Sequence, residues 1–425
     1  MDLAIAANDN ETLIDQLSFQ PPPVATYARE RRLVQIQPQG ANTFSPNGNQ
    51  VMTFSLSSSE GWLDPSSLRL HFRINNRAEN LPAIQNFSPT SGCHCFFQQL
   101  RVLVNGTEIE RVDDYHRVHE LFRVVLNTPQ SQVEQATEDG RAYDPGAYPP
   151  VNSVVIPPQT YKSVTLTPLS GLLTCGKYLP LRFMNSLVLE WQLARTDDAL
   201  LPANANRLSR IFELTQCELQ YSTVRLDSAL EAGFASMMLS GRALQINLRS
   251  IVSQASIIPA GATEHQATVV RALSRICGVF VTFQGRAPNQ EIMRFHNPSA
   301  VVGLERLLEW SVAIGSKQWP EMSTCKSSAA SLSLLKQTLG IYDQSVACTC
   351  ITPITYNEDR YVIGVPTSTI PGQSFSGIST RSGDLLSVLI RGMGAGGEGE
   401  AQKLYITLVA EFILELKESG AVLLE

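Results

Sequence analysis

LYITLVAEFILELK, residues 404–417, decides the fold. Leu404, Ile406, Leu408, Ala410, Phe412, Leu414 and Leu416 share one parity, and the intervening positions carry Thr407, Glu411, Glu415 and Lys417. A period of two places alternate side chains on opposite faces of an extended chain, the signature of a β-strand. Burying the seven apolar side chains contributes on the order of 10 kcal/mol gross, most of it offset by chain ordering. A strand this regular belongs in the middle of a sheet.

The same alternation recurs upstream. Met52, Phe54 and Leu56 form one apolar face, and Leu68, Leu70, Phe72 and Ile74 form another, set against Arg69, His71 and Arg73. Leu100, Val102 and Val104 run into Asn105-Gly106 and out through 107–112. Asn-Gly between alternating segments predicts a tight hairpin, because both turn residues take positive φ. Further strands are predicted over 163–167, 187–193 and 211–224. After Gly241 the pattern restarts with Leu244, Ile246 and Leu248, then 279–283, 308–314, 345–351, 361–365 and 385–390.

Three stretches break this rhythm. Tyr115, Val118, Leu121, Phe122 and Val125 recur at helical spacing, with Asp113 or Asp114 placed to cap the start. Residues 226–239 are helical and rich in alanine. Residues 327–339 open on Ser327 and are followed by Gly340, a helix start and stop. The expected architecture is therefore all-β: two tandem eight-stranded antiparallel jelly rolls with short helices in the long loops. The boundaries are an extended N-terminal arm at 1–30, a first roll at 31–225, a helical linker at 226–240 and a second roll at 241–425. No repeat of 40–45 residues supports a propeller.

Composition narrows the function. Of 425 residues, 43% are hydrophobic and only 17% charged, below the roughly 25% of an average soluble domain. A surface so sparing of charge fits one covered by partners. The net charge of −6 rules out a body that wraps nucleic acid over its whole surface. The N-terminal residues lack the basic and apolar regions of a signal peptide, and no apolar run reaches membrane-spanning length. The eight cysteines are accordingly expected as free, buried thiols made in a reducing compartment.

With these elements in place, the chain resembles the double-jelly-roll major capsid proteins of Polinton-like viruses, virophages and related double-stranded DNA viruses. Three pieces carry the resemblance: ERVDDYHRVHELFRVVL at 110–126, WSVAIGSKQWPEMSTCKSSAASLSLLKQTL at 310–339, and the closing LYITLVAEFILELKESG. The resemblance implies a homotrimer whose six rolls make a pseudo-hexagonal capsomer of an icosahedral shell. It further implies contacts with neighbouring capsomers and with minor capsid or penton proteins. The N-terminal arm would point inward, towards the genome or an internal membrane. The place of action would be the virion, after synthesis in the host cytoplasm or nucleus.

No residues present themselves for catalysis, cofactor or metal. His116 and His119 sit three apart on the predicted helix, but no HExxH pattern accompanies them, and a solvated helix edge is the expectation. Cys93-His94-Cys95 and Cys348-Thr349-Cys350 are spaced too tightly for a structural zinc site and are read as buried thiols. GMGAGGEG at 392–399 lacks the Lys-Ser/Thr of a phosphate loop and is read as a turn before the last strand. Arg29, Arg31 and Arg32 form the one basic cluster. They are placed either on phosphates, as an inward-facing contact, or in salt bridges to acidic neighbours. The competing class is a β-sandwich host-attachment or carbohydrate-binding protein, which would display clustered aromatics; aromatics make up only 7% here. A cupin-type enzyme would need clustered histidines, and the six present are scattered in sequence.

Overall fold

The computed structural model describes residues 28–424 except 58–60, 80–84, 129–133, 137, 142–153, 185, 203–207, 287–291, 303–304, 307, 322, 341–348, 350, 371–374, 382, 396–399 and 418–419. Eight principal strands build the first half: β1 (Ala28–Ile36), β2 (Val51–Leu56), β3 (Trp62–Asn76), β4 (Phe97–Val104), β5 (Thr107–Asp113), β6 (Tyr161–Leu166), β7 (Leu187–Leu193) and β8 (Phe212–Leu226). They pair antiparallel in two sheets, ordered β1-β8-β3-β6 and β2-β7-β4-β5. The second half supplies β9 (Leu244–Ile257), β10 (Glu264–Val269), β11 (Ile276–Gly285), β12 (Glu309–Ile314), β13 (Lys317–Trp319), β14 (Val362–Pro366), β15 (Leu386–Arg391) and β16 (Ala401–Lys417). Its sheets are ordered β9-β16-β11-β14 and β10-β15-β12-β13. Adding eight to each strand of the first half reproduces the second. Each half is a jelly roll, its chain passing repeatedly between two facing antiparallel sheets.

The alternation that predicts the strands also fills the core. In the first roll Met52, Phe54 and Leu56 of β2 face Leu68, Leu70 and Phe72 of β3, with Trp191 wholly buried between. Trp191 meets Phe54 edge-on, ring centroids 5.8 Å apart, and Phe97 at 6.4 Å, an arrangement that suits the quadrupoles of the rings. In the second roll β16 lies between β9 and β11, as its pattern requires, and a final strand, β17 (Gly420–Leu424), pairs with its C-terminal end. The Asn105-Gly106 hairpin forms with φ of 52° and 77°.

Helices occupy the connections, among them α1 (Tyr115–His119), α2 (Thr196–Ala199), α3 (Ser228–Leu239), α4 (Ser328–Thr338) and α5 (Pro353–Glu358). Ser327 caps α4 through the Ala330 N–H, and Gly340 follows with φ 75°. α4 crosses β14 at Gly364, where a Cβ would stand 2.7 Å from Leu335 Cδ1 and 2.9 Å from Leu335 Cα. Only glycine permits that approach. Trp310 Nε1 and the Tyr356 hydroxyl both donate to Ser331 Oγ, at 3.2 and 2.8 Å, which ties α4 and α5 to the strands beneath.

Two expectations change here. Ala28–Glu30, assigned to the arm, are the first residues of β1, where Ala28 pairs with Leu226 and Glu30 with Arg225. β1 is a sheet-edge strand with polar side chains on both faces, so it has no apolar alternation to read. Asp114 precedes α1 as expected but with φ 50° and no side-chain cap. Residues 1–27, most of the expected strand at 345–351, Cys348, Cys350 and residues 396–399 of the glycine-rich stretch lie outside the described residues.

Trp191→Ala should cost about 3–5 kcal/mol, the range for truncating a large buried aromatic. Ile257→Ala, at a side chain 74% exposed, should stay within about 0.5 kcal/mol. Urea unfolding followed by circular dichroism measures both.

Candidate functional site

α1 stands at the seam between the rolls. It follows β5, which packs beside β9 of the second roll. Glu120–Val125 continue it as a wider π-type turn. Every residue of Tyr115–His119 is buried. One side belongs to the first roll: the Tyr115 hydroxyl accepts from the Leu169 N–H at 2.9 Å. The opposite side enters the second roll.

Arg117 makes that entry. Its Nη2 donates to Phe283 O at 2.8 Å and to Thr282 Oγ1 at 3.1 Å, and its Nη1 to Ile292 O at 2.5 Å. The guanidinium carbon lies 4.6 Å from the Phe295 ring centroid and 4.4 Å from that of Tyr405. Carbonyl oxygens and ring faces thus replace water around a buried cation. Burial lowers its pKa to about 10, so the group stays charged at neutral pH. Beside it Phe122 meets Phe280 edge-on at 5.2 Å.

A second tie crosses the seam at Glu110, a buried residue of β5. Its buried carboxylate accepts from the Ser170 hydroxyl, from the Gly171 N–H at 2.9 Å and from Ser250 of β9. Burial raises its pKa, and these bonds oppose the rise. Gly171 touches the second roll so closely that a Cβ would fall 2.1 Å from Arg249 O.

The histidines correct the expectation of a solvated edge. His116 and His119 are buried at the seam, because partners far away in sequence cover both sides of α1. His94 stacks on His119 with centroids 4.5 Å apart, and its Nε2 lies 2.6 Å from Glu120 Oε2, which also accepts from Ser91 at 2.7 Å. Three histidines scattered in sequence thus gather here. No group of three or more metal-ligating side chains occurs among the described residues. Cys93 and Cys95 lie beneath, in a buried single turn of 3-10 helix rather than a strand. Burial pushes the Cys95 thiol up to about 12.

Arg29, Arg31 and Arg32 do not converge. Each points to its own carboxylate: Arg29 to Asp227 at 2.7 Å, Arg31 to Asp64 at 2.8 Å and Arg32 to Glu30 at 2.6 Å. Arg29 holds the Asp227 carboxyl below its usual range, and Arg32 does the same for Glu30. Sequence reasoning missed Arg117 and Glu110. The only trace of either was a basic residue in the middle of an apolar helix.

Two tandem jelly rolls of identical strand order, fastened through a buried arginine, define a double-jelly-roll protein. The solved structures it is similar to share that architecture. The PBCV-1 virus capsid matches with a TM-score of 0.64 at 11% identity, over 96% of this chain and 99% of that one. The Faustovirus major capsid protein matches at 0.63 and 8% identity, over 96% and 93%. The mavirus major capsid protein matches at 0.52 and 11% identity, over 100% and 95%. No family model and no curated protein matches the sequence. At these identities the likeness is one of fold.

Arg117→Ala should strip buried acceptors of their donor and cost about 3 kcal/mol or more. Calorimetry should then resolve two transitions where the native protein gives one. Acid acts on the same helix. His116 Nδ1 accepts from the Arg117 N–H at 2.9 Å, and burial lowers the His116 pKa from 6.5 to about 4. Between those values the unfolded chain takes up a proton that the folded one refuses. Stability is therefore lost as pH falls from 6.5 towards 4, by up to about 3 kcal/mol from this group. Urea midpoints across that range should fall less steeply for His116→Gln than for the native protein.

Proposed function

We propose that this protein is the major structural subunit of an icosahedral viral shell, acting as a homotrimer and not as an enzyme. The observation that carries the reading is the pair of rolls with one strand order, locked side by side by α1. A hexagonal tile needs six similar edges. One chain offers two blocks of the same kind, and three chains around a closed axis offer six, each repeating one heterologous contact. The low charged fraction fits a surface given over to such contacts. The capsid proteins that share the fold and nearly the full length support the same assignment.

The protein then acts in the virion, after synthesis in the host cytoplasm or nucleus. Its partners are itself, neighbouring capsomers, and minor capsid or penton proteins. Ala28 pairs with Leu226, where β8 ends and α3 begins, and residues 1–27 precede it in the chain. They serve as the arm towards neighbours, the genome or an internal membrane. Arg29, Arg31 and Arg32 sit at its root. Their ion pairs favour anchoring the first strand over direct phosphate contact.

Light scattering on dilute protein should give a mass near three times 46.6 kDa. A stable monomer or dimer that never tiles would overturn the reading in favour of an attachment protein. Deleting residues 1–27, which spares β1, should leave a folded, soluble protein that assembles shells poorly. Circular dichroism and electron microscopy of the truncated chain separate those two effects. A truncated chain that fails to fold would place those residues in the core.

A further inference from the structure

A cavity of about 560 Å³ opens in the first roll, between the start of β3 and the loop that follows β6. Its wall carries three cations, Arg69, Arg123 and Lys177, with the hydroxyls of Thr167 and Tyr178 among them. Shell building gives no reason for this lining. Among the described residues the only carboxylate in the wall is Asp64, and it is already engaged, accepting from Arg31 at 2.8 Å and from the Ser66 hydroxyl at 2.6 Å. Arg69 donates through Nη1 to two carbonyls, Ser66 O at 2.9 Å and Leu68 O at 2.8 Å, which hold the side chain without neutralising it. The Nε of Arg123 is buried and finds no acceptor.

Three positive groups against one negative leave an excess of two charges around a space of small-ligand size. Arg69 and Arg123 are half-buried and Lys177 is exposed. The buried Nε of Arg123 wants an acceptor, and guanidiniums match the paired oxygens of phosphate. An excess of two is offset by a dianion. We propose that this cavity is a binding site for a phosphate monoester. Arg123 belongs to the π-type turn that extends α1, so an anion seated on it also steadies the helix that carries Arg117 across the seam. Binding therefore stabilises the two-roll body, and the site works whether or not the chain tiles.

The test titrates the full-length protein with inorganic phosphate at constant ionic strength, with chloride as the reference anion. Thermal unfolding and isothermal calorimetry are the readouts. The expected result is a saturable rise in the unfolding midpoint beyond that in chloride, because a ligand that binds only the folded state stabilises it. The apparent Kd should weaken about tenfold in Arg123→Gln and about threefold in Lys177→Gln. Should Arg123→Gln fail to fold, Lys177→Gln and Arg69→Gln decide the outcome. Two further arms distinguish sources: glycerol phosphate, and phosphatidylcholine vesicles with and without phosphatidic acid. Competition by glycerol phosphate alone assigns a soluble ester, competition by the phosphatidic acid vesicles assigns a lipid headgroup, and either supports the site. A response equal to that of chloride, or one unchanged in the variants, overturns it.

Discussion

The structure depends on a cation held without water. Arg117 leaves a helix of the first roll and ends among the carbonyls and rings of the second. Desolvating a guanidinium is costly, and the cost is met only while every donor finds its acceptor. Those acceptors come from residues 282–294, far along the chain and on the other roll. The arrangement therefore holds at one relative placement of the rolls and fails at others. A greasy seam would tolerate sliding; this one does not. Glu110 adds a second polar tie, and Gly171 brings the backbones together where a side chain would keep them apart.

That rigidity is what the proposed tile needs. Two rolls on a loose tether could occupy many angles, and a lattice built from them would inherit the spread. Each roll buries a large aromatic between its sheets, Trp191 in the first and Trp310 in the second, and the apolar core runs on from one roll to the other. The seam adds registry between two such bodies. His116, beside Arg117 on the same helix, places an acid-sensitive group in that layer. Burial holds His119, stacked on His94 with centroids 4.5 Å apart, well below the ordinary imidazole range.

Much of this architecture is legible in the sequence because it rests on local periodicity. The strand at 401–417, the Asn105-Gly106 turn and the helix between Ser327 and Gly340 each carry their own signal in side-chain spacing or turn chemistry. The seam carries no such signal. The 115–119 stretch reads as an ordinary amphipathic helix, with Arg117, His116 and His119 on the side that water would take. At Arg117 the second roll takes that side instead, through contacts separated by more than 160 residues, while His119 turns to Thr167 and His94 of its own roll. The basic cluster at 29–32 misleads for a related reason. The exposed, polar start of an edge strand lacks alternation, so its pairing with β8 and its three carboxylate partners become visible only in the folded chain.

In the proposed function each chain contributes two like blocks, held rigidly, to a six-edged tile. Single-particle electron cryomicroscopy of the purified oligomer tests it most directly. Six jelly-roll densities are expected around a threefold axis, with the two rolls of each chain in one fixed relation across all particles. Rolls that vary in angle from particle to particle, or particles without threefold symmetry, would contradict it.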